Sequence, residues 1–149
     1  MNQNRIALLF VLINFCVAYV SDNVLNDLSK YSNIKAFRSL APYFKTKSIV
    51  VAGVYAGLTV AIATIALILL YRMIFNVYFP NALSTYFIFF VMAYAIGYAL
   101  DVFIYKMNVF NNLQPFYNEV GAGNGGALSF LFSLAVSFGL LKLVKYLTM

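Results

Sequence analysis

The chain has 149 residues, of which 64% are hydrophobic and only 9% charged, with a mean hydropathy of +0.87. A soluble domain carries about a quarter of its residues as charges, so a water-soluble fold is excluded: ten Lys or Arg and four Asp or Glu cannot cover its surface. The net charge of +6 is spread over short segments that flank apolar runs. That pattern points to membrane-surface anchoring rather than nucleic-acid binding.

These features predict an all-α fold, a single membrane domain of three to four transmembrane helices with an interfacial amphipathic helix. Residues 1–20 read as a signal peptide or an uncleaved signal anchor. Ile6 to Val20 is apolar but short for a span of about 20 residues, and Cys16-Val17-Ala18 would suit a cut after Ala18. Cys16 is the only cysteine, so no internal disulfide is expected.

Residues 22–47 are polar and basic, yet Val24, Leu25, Leu28, Tyr31, Ile34 and Phe37 recur at helical spacing. They predict an amphipathic helix ended by Pro42, whose Lys30, Lys35, Arg38, Lys45 and Lys47 would touch lipid head groups or a partner. A solvated linker is the alternative. Three transmembrane helices are expected at 48–71, 82–105 and 126–141, the first two joined as an antiparallel hairpin. Lys or Arg on the two sides of the membrane are too evenly divided to fix orientation.

Asp101 is the only acidic residue inside an apolar segment. A carboxylate in hydrocarbon is costly and must find a partner. Tyr94, Tyr98 and Tyr105 share its helical face, so the group reads as an intramembrane polar site: a proton or cation site, or a fixing point for the helix end. Small residues at packing intervals, Gly53 and Gly57 with Ala61, and Gly125, Ser129, Ser133 and Ser137 after Gly121, predict close helix packing within the chain or in a homo-oligomer. No His is present, and no nucleophile–base set, P-loop or Cys cluster is found. The expectation is therefore no catalytic residues, no metal and no cofactor.

The stretch from Gly97 to Gly139 carries Asp101-x-x-Ile104, Leu113-x-x-x-Tyr117, Gly121-x-Gly123 and Gly126-Ala127-Leu128-Ser129-Phe130-Leu131-Phe132-Ser133. It resembles small multi-span membrane proteins of large nucleocytoplasmic DNA viruses. The resemblance implies a structural component of the virion inner membrane or of host endoplasmic-reticulum-derived membrane, with Asp101, Tyr117, Gly121, Gly123 and Gly126 as the shared positions. The function expected is that of a structural or assembly protein contacting the bilayer and capsid or matrix partners. The alternative is a small oligomeric channel or transporter using Asp101 with Tyr94 and Tyr98.

Overall fold

The computed structural model describes residues 2–147, with backbone alone at Asn108 and Val109; Met1, Thr148 and Met149 lie outside the described residues. It is all-helical, and four of its helices are long and apolar enough to cross a membrane. They are α1 (Gln3–Tyr31), α4 (Ile49–Phe75), α5 (Leu83–Tyr105) and α7 (Asn124–Leu147). Short helices α2 (Lys35–Arg38) and α3 (Ala41–Thr46) join the first pair, while a 3-10 helix (Asn108–Leu113) and α6 (Gln114–Val120) join the second.

Contacts fix the arrangement. Tyr19 lies over Gly53 and Phe15 over Gly57, Tyr71 meets Phe89, Tyr98 covers Gly123, and the Ser133 hydroxyl donates to Asn14 Oδ1 at 3.0 Å. Each long helix therefore runs antiparallel to both neighbours, in the ring order α1, α4, α5, α7. At one end of the bundle the aromatic rings of Phe10, Phe79, Tyr86, Phe89 and Phe90 surround Phe138. At that end too, the Arg72 guanidinium donates to Tyr78 Oη at 2.7 Å, and that hydroxyl donates to Asn4 Oδ1 at 2.8 Å. The opposite end carries all the short helices.

The two halves repeat. Phe10, Tyr19 and Asp22 of α1 recur at identical separations as Phe89, Tyr98 and Asp101 of α5. Buried Gly53, Gly57, Ala63, Leu67 and Tyr71 of α4 match the spacing of buried Gly123, Ala127, Ser133, Ser137 and Leu141 around α7. The ring order places these halves about an approximate twofold along the bundle axis, the relation that parallel repeats adopt in membranes.

Three boundaries differ from the sequence reading. The stretch 22–47 is not one amphipathic helix: residues 22–31 continue α1, and the chain then breaks where the Ile34 N–H donates to the Ser32 hydroxyl at 3.1 Å. Pro42 opens α3 rather than ending a helix, since proline is tolerated in a first turn, where no intrahelical N–H bond is lost. The apolar positions also divide, Leu25, Leu28 and Phe37 being half-buried. Asp22, Asn26 and Ser29 are buried, whereas Val24, Tyr31 and Ile34 are exposed, because outside this bundle lies lipid. Finally, α4 runs past Tyr71 to Phe75, closed by Asn76 in the left-handed conformation (φ 63°), and α7 spans more than 126–141.

A cut after Ala18 would remove Phe10, Asn14 and Phe15, which pack into the core or against α4. Gly53 and Gly57 serve packing within the chain, and Ser133 and Ser137 are buried, but Ser129 stands on the outer face.

Gly57→Leu should push Phe15 and α1 away from α4, costing about 1–3 kcal/mol as overpacking does. Denaturant titration of the detergent-solubilised protein would measure this, with exposed Ile65→Leu as the neutral control; equal midpoints would contradict the packing.

Candidate functional site

The site grows from the need to satisfy Asp101 in an apolar helix. Its carboxylate Oδ2 accepts the Gly123 amide N–H at 2.9 Å, and Oδ1 accepts from the Tyr117 hydroxyl at 3.3 Å. The Gly126 amide donates to it as well. Gly123 immediately precedes the first residue of α7, so Asp101 caps that helix from a different one. It meets the orphan N–H groups and the positive end of the helix dipole, an interaction worth up to about 2 kcal/mol when partly buried.

The glycines make this approach possible. Gly121 (φ 92°) and Gly123 (φ 98°) take backbone conformations that L side chains rarely adopt, turning the chain from α6 into α7. A Cβ on Gly126 would overlap the Cβ and Cγ of Asp101. A Cβ on Gly123 would come within 2.6 Å of the Tyr98 ring. Asp101, Tyr117, Gly123 and Gly126 thus meet at one point, with Gly121 in the adjoining turn.

Tyr94, Tyr98 and Tyr105 do not serve Asp101 as donors. Tyr94 donates to Asn124 Oδ1 at 2.7 Å, Tyr98 packs on Gly123, and Tyr105 meets the Tyr117 ring edge-on at 5.1 Å. A shared helical face aligned them in sequence, but the backbone N–H groups of a neighbouring helix end reach the carboxylate directly. Burial and the Asp101 carboxylate push the Tyr117 phenol well above the usual tyrosine range, so it stays a donor. Tyr43, buried in α3, is pushed up by burial and by Asp22.

Asp22 is the counterpart of Asp101 in the first half. It is buried, but its Oδ2 has no hydrogen-bond partner. The position matching Gly123 is Gly53, which lies inside α4 with its amide committed to the helix, so no helix start is offered to Asp22. Sequence reading missed both this twin and Asn14, whose amide donates to the Phe10 carbonyl at 3.0 Å while accepting from Ser133. The signals were present: a repeated Tyr-x-x-Asp, and one Asn in the middle of an apolar run.

At the capped end, Lys35 pairs with Glu119 at 3.3 Å, and Asn112 donates to Thr46 Oγ1 at 2.9 Å. Tyr43 and Tyr55 both approach the Phe110 ring. The two connectors therefore form one platform. Lys30, Arg38 and Lys45 are exposed on it and Lys47 is half-buried, whereas Lys35 is engaged within the protein. Among the described residues no group of three His, Cys, Asp or Glu side chains is placed to hold a metal ion.

Asp101→Leu should strand the α7 amides and cost about 1–3 kcal/mol. Asp22→Leu, which removes a carboxylate with an unpartnered oxygen, should be neutral or stabilising. Denaturant titrations of both variants check the contrast, and equal losses would dissolve the distinction between the twins.

The raised phenols predict alkaline lability. A folded-state pKa above the ordinary value of about 10 contributes stability below that pH and loses it as pH climbs further, because the unfolded chain gives up its protons first. Stability should fall above pH ~10, and less steeply in Tyr43→Phe/Tyr117→Phe; identical slopes would refute the assignment.

Comparison with protein-family models, curated proteins and solved structures gives no match to this chain.

Proposed function

We propose that the chain is a structural or assembly protein of a membrane, of the kind carried in the inner membrane of large nucleocytoplasmic DNA virions or in the host membrane from which they form. One observation carries this reading. The single carboxylate within the apolar segments expected from sequence, Asp101, is spent on holding α7 to α5 through Gly123 and Tyr117. Polar groups devoted to internal closure suit a scaffold, whereas a relay site needs a group free to exchange its partner.

The small-residue faces support the same conclusion, since Gly53, Gly57 and Gly123 receive aromatic side chains of the same chain. What remains for other molecules is an outward apolar belt and the platform of short helices with its cations. That platform would contact head groups and a capsid or matrix partner. Nothing in the geometry favours the channel reading: Tyr94 is bonded to Asn124, while Asp101 turns toward the start of α7.

Charge reversal at Arg38, Lys45 and Lys47 tests the proposal; Lys35 is left intact because of its pairing with Glu119. Pull-down of the tagged full chain from its native membrane should lose the associated partner by severalfold, with the bundle's unfolding midpoint unchanged. Undiminished recovery of that partner would sink the contact.

A further inference from the structure

The approximate twofold relates the α1/α7 seam to the α4/α5 seam, and the two differ. The first is drawn together by Asn14 and Ser133. The matching positions in the second are Ala93 and Ala63, which offer no hydrogen bond. Toward the capped end the α4/α5 seam opens into a groove of about 320 Å³, walled by Leu58, Thr59 and Ile62 on one side and Leu100 and Phe103 on the other, with Phe110 at its end. Ile62 and Phe103 are 59% and 64% exposed, so the walls face the surroundings of the bundle.

The groove lies between two spanning helices, where hydrocarbon is the solvent. Its capped end has a distinct electrostatic character. Lys45 and Lys47 stand just before α4, and Lys106 just after α5. The Asn112–Thr46 hydrogen bond and the Tyr55–Phe110 ring contact bring those two chain segments together there. Among the described residues no carboxylate lies within ion-pair distance of these lysines, Glu119 being paired with Lys35. An apolar slot at membrane depth ending beneath unpaired cations matches a molecule with a hydrocarbon chain and an anionic head.

We propose that the α4/α5 groove is a binding site for one anionic phospholipid, an acyl chain lying along Ile62 and Phe103 and the headgroup phosphate meeting Lys47 and Lys106. The lipid fills the seam that lacks the polar clasp of its twin. This site does not depend on the scaffold role and stands or falls separately.

Native mass spectrometry of the full chain, released from detergent micelles containing equal phosphatidylglycerol and phosphatidylcholine of matched acyl chains, tests it. One phosphatidylglycerol should be retained, preferred by at least about fivefold, the factor one lysine supplies near an anionic surface. Lys47→Gln/Lys106→Gln should abolish the preference, and Ile62→Trp, which fills the groove, should reduce retention of both lipids. Equal retention of the two lipids by the native chain overturns the proposal, as does a preference unaltered by Lys47→Gln/Lys106→Gln or a retention unaltered by Ile62→Trp. Lipid carried only by a dimeric species would likewise overturn it, assigning the groove to a second copy of the chain.

Discussion

The bundle depends on how one carboxylate is accommodated in hydrocarbon. An ionised group there would be expelled from the membrane or left as a standing cost. Asp101 avoids both by taking the unsatisfied amides at the start of α7, which themselves could not remain bare in lipid. Two liabilities cancel: the helix start needs an acceptor, and the acid needs donors. The match is possible because Gly121 and Gly123 turn the chain into α7 and because Gly126, inside α7, has no Cβ to collide with Asp101.

Away from that point, shape replaces charge. Aromatic side chains from α1 and α5 rest on glycines of α4 and at the start of α7, because without a hydrophobic driving force between helices close backbone approach is what dispersion rewards. At the far end Phe138 sits among five aromatic rings, with Pro80 of the connector also buried. The repeat accounts for the recurrence of these devices. It also explains their asymmetry: the second half keeps a helix start beside its aspartate, whereas in the first half α4 begins earlier, at Ile49, and the corresponding aspartate has an orphaned oxygen.

Much of this was legible beforehand. Composition demanded lipid, and long uncharged runs placed α4 and α5 within a few residues of their observed limits. The small-residue intervals at Gly53 and Gly57 marked a packing face. What failed is the extent of the helix read over 22–47 and the side on which its polar residues lie. Asp22, Asn26 and Ser29 turn into the bundle while Asp27 and Lys30 stay exposed, so periodicity found a helix but neither its buried polar side nor its break at Ser32. The donors of Asp101 were misread for a related reason. Helical phase groups residues on one helix, whereas the partners of a buried acid are set by which neighbouring backbone is left unsatisfied, and that depends on tertiary placement.

The repeat also decides where polar mass can gather. Each half begins and ends at one end of the bundle and turns at the other, so both long connectors fall on one side and the tight link between Phe75 and Leu83 lies on the other. All four acidic residues, Asp22, Asp27, Asp101 and Glu119, accompany the connectors, while Arg5, Arg72, Lys142 and Lys145 occupy the opposite end without an acid among them. Among the described residues, that end thus carries Lys and Arg but no Asp or Glu. The other is a mixed-charge platform built from the short helices. Removing the first helix would leave Gly53 and Gly57 without their aromatic cover and Ser133 without Asn14. The N-terminal apolar run thus contributes to the bundle as much as the three spans that composition alone made plain.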